Sequence, residues 1–268
     1  MHPRLSVSAI SSLRWSLDED LAFWADAGIE RVGIALRKLE PVGLADGARR
    51  VAAAGLRVTN ALALAPFDLA QPAAWSRQRD QLLALVDAAA TMRAECLVLT
   101  TGAPGPLTWE EAADALAEAI TPVVTTAHDA GVALALEHTN SLRVDISFLH
   151  TLRDAVDLAR RLDVGVCMEV NACWAERGLD ETLAAGADRL RLVQVSDFIV
   201  GTLTTPDRAV PGDGDISLAR VLGAVLAAGY SGVFDLELVG PRIEAEGYPS
   251  AIGRSLAVLD ELLASLGT

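Results

Sequence analysis

At 268 residues with 51% hydrophobic side chains, the chain has enough apolar surface for a sizeable core, which excludes disorder as its dominant state. Its 22 basic and 36 acidic side chains leave a formal charge of −14, which excludes a sequence-independent grip on nucleic-acid phosphates or anionic membrane surfaces. Three cysteines, Cys96, Cys167 and Cys173, have neither an even count nor zinc-finger spacing, so a reducing compartment and three small buried hydrophobes are expected.

The opening segment MHPRLSVSAISSLRW has no unbroken apolar stretch running to a small-residue cleavage site, so a cytoplasmic location is expected. The first strand is read at Leu5 to Ile10. A capping box, SLDE at Ser16, then starts a helix that stops at Gly28. Strands follow at Arg31 to Leu36 and Leu56 to Leu64, with Gly55 closing the helix between them. Pro72 suits a first helical turn before the strand at Cys96 to Thr100. A second capping box, TWEE at Thr108, opens a helix ended by Gly131. The second half supplies strands at Val132 to Leu136, Val164 to Met168, Leu190 to Val195 and Val233 to Leu238. The stretch from Ile216 to Val239 is the most membrane-like, but Arg220, Gly229, Asp235 and Glu237 interrupt it, and it reads as a helix and then a strand. The strands are mostly continuous apolar runs, as strands buried on both faces should be. Strand then helix, eight times at about 33 residues per unit, predicts a single (β/α)8 TIM barrel spanning 1–268 as one domain. A doubly wound sheet would normally show a glycine-rich turn after the first strand, and LSVSAISSLRW has no glycine.

In such a barrel the chemistry lies at the C-terminal strand ends. The fifth strand runs into Glu137, the sixth into Glu169, the seventh carries Gln194 and the eighth carries Glu237, at separations of 32, 25 and 43 residues. Three carboxylates and an amide converging on one mouth repel unless protonated or neutralised, and a divalent cation is the simplest remedy. All four donors are hard oxygens, which favours one Mn²⁺ or Mg²⁺ over zinc. The competing reading is a layer of salt bridges with Arg143, Arg208 or Arg242.

The strings AGIERVGIAL, ALEHTN, GVCMEVNACW, LVQVSDF and PGDGDISLARVLGAVLAAGYSGVFDLEL make the whole chain resemble the sugar phosphate isomerase/epimerase superfamily, the xylose isomerase-like barrels. The resemblance implies one divalent metal held by Glu137, Glu169, Gln194 and Glu237, and a loop arginine, Arg208, that reaches a substrate oxygen. It also implies that Asp197 is a structural aspartate and that the chain is a homo-oligomer. Glu169 stands where the family usually has aspartate and Gln194 where it usually has histidine, a glutamine that is similar to the dehydratase branch. Ala172 and Gly33 replace a histidine and a glutamate of the family pattern. With four histidines, the multi-zinc site of the related endonucleases cannot be assembled.

The expected function is a metal-dependent isomerase or epimerase acting on a small hydroxy-carbonyl compound by α-proton abstraction, with Glu137 and Glu237 as bases and Arg208 orienting the substrate. The alternatives are a lyase of the 3-dehydroshikimate or inosose dehydratase type, favoured by Gln194, and a barrel that has lost its metal. Asp213 and Asp215 in the PGDGD turn argue against a phosphorylated substrate, and Asp215 is expected to cap the next helix. His138 should pack outside the lumen, His128 and His150 should lie on helices, and Lys38, the only lysine, should be a solvated charge. Trp15, Trp174 and Phe198 fall just after strand ends and suggest an apolar mouth.

Overall fold

In the computed structural model, which describes residues 1–267, eight parallel strands close into a barrel in sequence order, β1 pairing with both β2 and β8. The strands are β1 (Leu5–Ser8), β2 (Arg31–Ala35), β3 (Arg57–Ala63), β4 (Cys96–Thr100), β5 (Ala133–Glu137), β6 (Gly165–Glu169), β7 (Leu190–Val195) and β8 (Phe234–Leu236). The helices of the first half are α1 (Leu17–Asp26), α2 (Leu44–Ala53), α3 (Trp75–Thr91) and α4 (Trp109–Asp129). Those of the second half are α5 (Leu152–Leu162), α6 (Val170–Cys173), α7 (Leu179–Gly186), α8 (Leu218–Ala227), α9 (Pro241–Glu246) and α10 (Tyr248–Ser265). Every strand read from the sequence is present. The first is shorter than expected because Ala9–Ser12 turn into a 3-10 helix.

Local chemistry places the helix starts. The Ser16 hydroxyl accepts from the Glu19 N–H while the Glu19 carboxylate accepts from the Ser16 N–H, and Thr108 and Glu111 repeat this reciprocal pair. α4 then buries Ala112, Leu116, Ala119, Ile120, Val123 and Ala127, a three-to-four-residue spacing that keeps one stripe against the barrel. The strand interiors are buried on both faces, and Cys96, Cys167 and Cys173 are buried free thiols, as expected. The stretch from Ile216 to Val239 resolves into α8 and β8, and no helix among the described residues is long and apolar enough to cross a membrane.

The connection from β7 to α8 matters most for the site. Asp197 organises it: one carboxylate oxygen accepts from the Phe198 (2.8 Å) and Ile216 (3.0 Å) N–H groups, the other from Gly212 (2.9 Å) and Gly214 (3.1 Å). Gly214 has to be glycine, since a Cβ there would collide with the Asp197 carboxylate. Asp215 does not cap α8. The cap position is Ser217, and the Asp215 carboxylate instead accepts from the Val200 N–H (2.8 Å), tying the two ends of the loop. His128 lies on α4 as expected, whereas His150 precedes α5 and sits 3.3 Å from the Thr139 carbonyl.

Lys38 also departs from expectation. It is buried and ion-paired to Asp20 of α1 at 2.5 Å, and it donates to the Ser12 carbonyl (2.9 Å) and hydroxyl (3.3 Å). Burial pushes the Asp20 carboxyl up to about 6 against the pull of Lys38, and burial also lowers the Lys38 ammonium. The partner lies eighteen residues upstream on a different element, so nothing in the local sequence marks it. Removing one partner leaves an uncompensated buried charge, so Lys38→Met should cost roughly 3–5 kcal/mol in urea unfolding. The double change Asp20→Leu with Lys38→Met should recover most of that loss; a cycle in which the two costs simply add would contradict this account of the pair.

Candidate functional site

Three glutamates meet at the C-terminal end of the barrel. Glu137 ends β5, Glu169 ends β6 and Glu237 follows β8, and one carboxylate oxygen from each lies within 4.8 Å of the others. They are 6%, 1% and 5% exposed. Strand alternation aims every second side chain inward, and the parallel register sets Glu169 beside Gln194. Gln194 is fully buried on β7, with its amide N–H₂ donating to Glu237 and its oxygen accepting from the Cys167 thiol (3.0 Å). It therefore joins the cluster through its nitrogen, and a half-turn of the terminal amide would be needed to offer its oxygen there.

The arginine of the β7–α8 loop stands among these acids. Arg208 Nη1 lies 2.7 Å from Glu169 and donates to the Ser196 hydroxyl (2.9 Å), and Nη2 lies 3.8 Å from Glu237. Of the three arginines considered as rim partners, Arg143 pairs with Asp145 (2.9 Å) and Arg242 with Asp207 (3.2 Å), which leaves Arg208 to face the cluster. Burial, and then the Glu169 charge, pushes the Glu137 carboxyl up to about 8, with Arg208 and Arg143 pulling the other way. Burial and Glu137 likewise hold Glu237 well above the usual carboxylate range. Burial alone would lower the Arg208 guanidinium, but the carboxylates, Glu169 foremost, raise it. One Glu169 oxygen accepts from the Asn171 N–H (2.9 Å), while the other is buried without a hydrogen-bond partner among the described residues.

His138 lies immediately beyond β5, fully buried, and its Nε2 accepts from the Glu169 backbone N–H (3.2 Å). Burial drives its imidazole down to about 3, so it is neutral support for the Glu169 backbone. Gly33, the inward position on β2, faces Asn60, whose amide would lie 2.6 Å from a Cβ placed there. Above the carboxylates opens a cavity of about 290 Å³ whose lining includes Glu137, Glu169, Arg208 and Glu237. Phe198 lines it as expected. Trp15 and Trp174 do not, and Trp15 packs edge-on against Phe23 (5.4 Å) and Tyr248 (5.3 Å). The sequence reading missed Leu62 and Leu64, which line the cavity from the end of β3, and Asn171. The former are hidden in an unbroken apolar strand, whereas Asn171 lies two residues beyond Glu169 and was open to inspection.

The profile of the xylose isomerase-like TIM barrel family matches residues 21–262. Among solved structures, a protein from Sinorhizobium meliloti 1021 superposes with a TM-score of 0.81 at 25% identity, covering 98% of this chain and 96% of its own. A structure of the IOLI protein with a bound zinc atom gives 0.83 at 19% identity over 98% and 99% of the two chains. D-psicose 3-epimerase from Clostridium cellulolyticum H10 gives 0.77 at 16% identity over 98% and 99%. No functionally curated protein matches the sequence.

Arg208 is the part-buried counter-charge of the cluster, and its loss leaves the buried Glu169 uncompensated, so Arg208→Met should destabilise the metal-free protein by roughly 3–5 kcal/mol at pH 8 in urea unfolding. A carboxyl whose folded pKa is raised is least costly when protonated, so the penalty should shrink as pH falls from 8 to 5, through the range to which Glu137 is pushed. A penalty that stays constant or grows toward pH 5 would contradict the assignment.

Proposed function

Because the chain belongs to the xylose isomerase-like TIM barrel family, we propose that it is a divalent-cation-dependent isomerase or epimerase acting on a small, non-phosphorylated hydroxy-carbonyl compound. The observation that carries this reading is the convergence of three buried glutamate oxygens within 4.8 Å at the strand ends. The donor set suits a cation: the carboxylates are mutually repulsive, and one Glu169 oxygen lacks a hydrogen-bond partner among the described residues. Glu137, Glu169 and Glu237 would hold the ion, with Gln194 as the fourth candidate. A bound divalent cation supplies charge neutralisation and polarises the substrate carbonyl and adjacent hydroxyl oxygens. All-oxygen ligation favours Mn²⁺ or Mg²⁺, and the zinc in the IOLI structure makes Zn²⁺ the ion to compare with them.

Glu137 and Glu237 come from non-neighbouring strands and so address the cavity from different sides. In the proposed reaction one of them takes the proton from the carbon next to the carbonyl and the other returns a proton to the same or the adjacent carbon. Arg208 donates to a substrate oxygen and stabilises negative charge as it develops there. The absence of a phosphate group from the substrate is supported by the β7–α8 loop. The Gly212, Gly214 and Ile216 N–H groups that could cradle an anion are already donated to Asp197.

Thermal unfolding of chelator-treated protein, titrated with Mn²⁺, Mg²⁺ and Zn²⁺, tests the reading. At a free concentration a hundredfold above Kd, a cation that binds only the folded state adds about 2.7 kcal/mol. Glu237→Gln should abolish the rise in Tm. The cation must displace the proton held by Glu137, whose carboxyl is pushed up to about 8. Apparent affinity should therefore increase with pH below that value, by up to about tenfold per unit for each proton released. The saturated protein should then exchange the α-proton of a ketol for deuterium in D₂O. A second reading, a barrel whose acids are simply neutralised by an arginine, is favoured by the 2.7 Å contact between Arg208 and Glu169. That reading predicts no cation-dependent rise in Tm and no exchange.

A further inference from the structure

The cavity above the glutamates has an apolar wall on one side and a mixed one on the other. The wall built by the β1 to β3 units is apolar, made of Ile10 and Leu13 beyond β1 and of Leu62 and Leu64 at the end of β3. Its one charged member, Arg37, is exposed and points a guanidinium nitrogen at the Leu13 carbonyl (3.5 Å). β2 sends no polar group into this wall, because its inward position is Gly33 and the space beside it is filled by the Asn60 amide; neither residue lines the cavity. The side built after β5, β6 and β7 is mixed, with Asn140, Asn171 and Thr204 near Arg208 and with Leu142, Ile146 and Phe198 among them. Apolar side chains continue outward from this cavity. Leu64 is 47% exposed, and Leu142, Val144, Val200 and Leu203 stand exposed on the loops that follow β5 and β7.

We infer that the natural substrate is amphipathic, with a hydroxy-carbonyl head at the glutamates and an apolar arm, aryl or branched alkyl, lying along Ile10, Leu13, Leu62 and Leu64. The choice of head rests on the isomerase or epimerase reading above. The arm rests on the wall alone. A compound hydroxylated along its whole length would press hydroxyl groups against four aliphatic side chains, surrendering hydrogen bonds to water with none in return. An apolar arm gains by leaving water in the same place, and the exposed Leu64 and Leu142 extend that shielding to the mouth. At about 20–30 Å³ per heavy atom, the upper figure being a water's share of liquid volume, 290 Å³ admits a molecule of roughly ten to fifteen heavy atoms. That is room for a three- or four-carbon head and one ring.

The test compares two probes with the same number of heavy atoms, D-fructose and 1-hydroxy-4-phenylbutan-2-one, by titration calorimetry with Mn²⁺ present. The aryl ketol should bind at least about tenfold more tightly, a factor within reach of burying one apolar arm. Leu64→Asn, at a half-exposed position where folding is not at stake, should shrink that ratio to within about threefold. Fructose binding as tightly as the aryl ketol, no measurable binding of the aryl ketol, or a ratio unchanged in Leu64→Asn would each overturn the inference. Deuterium exchange at the α-carbon of the same probes is read separately. Absence of exchange from both would sink the isomerase or epimerase reading, while the affinity ratio would still decide the arm.

Discussion

Burying three carboxylates within 4.8 Å of one another is the constraint on which the mouth of this barrel depends. Two unit charges 4 Å apart repel by about 4 kcal/mol at an effective dielectric constant of 20, so three cannot remain charged there without compensation. The protein meets the repulsion in three ways. Glu137 and Glu237 are pushed toward the protonated form, Arg208 contributes a part-buried positive charge, and the Asn171 N–H and the Gln194 amide donate to Glu169 and Glu237. Each of these depends on something further out. Arg208 is delivered by a loop that folds around Asp197, and Glu169 is braced from behind by the neutral imidazole of His138. The long β7–α8 connection is thus part of the site, and the glycine at 214 that lets it close is as necessary to the arrangement as the acids.

The barrel and its acidic triad were legible in the sequence for a shared physical reason. A strand buried on both faces must be an unbroken apolar run, and when such a run stops at a carboxylate, as LALE does at Glu137 and VCME at Glu169, the charge can only stand at the strand's end. Capping boxes at Ser16 and Thr108 were equally readable because their partners lie three residues away. What was not legible depends on partners remote in sequence or on the path of a loop. Lys38 looks like a lone surface charge until α1 carries Asp20 beneath it. Trp15 follows a strand end, as a mouth residue would, but the 3-10 turn after β1 sends it toward Phe23 and Tyr248. Asp215 sits where a helix cap would suit, yet α8 starts after Ser217 and the carboxylate is used to tie Val200.

The departures from the family pattern have physical consequences in this chain. Gly33 leaves room that Asn60 fills, so the β1 to β3 side of the mouth is mainly aliphatic. Gln194 is locked between Cys167 and Glu237 and serves as a hydrogen-bonded wedge between two strands. The Glu169 carboxylate contacts Arg208 and the Asn171 N–H together. Arg208 and the Asn171 N–H share one Glu169 oxygen and leave the other without a hydrogen-bond partner among the described residues, so a cation and the arginine would share that carboxylate, one at each oxygen.

That sharing is the point at which the account is most directly exposed. A crystal structure of the protein equilibrated with Mn²⁺, with anomalous scattering recorded, would show both partners at once. The account predicts one anomalous peak bonded to Glu137, Glu237 and the Glu169 oxygen that Arg208 does not contact. Density free of any peak at the strand ends would contradict it.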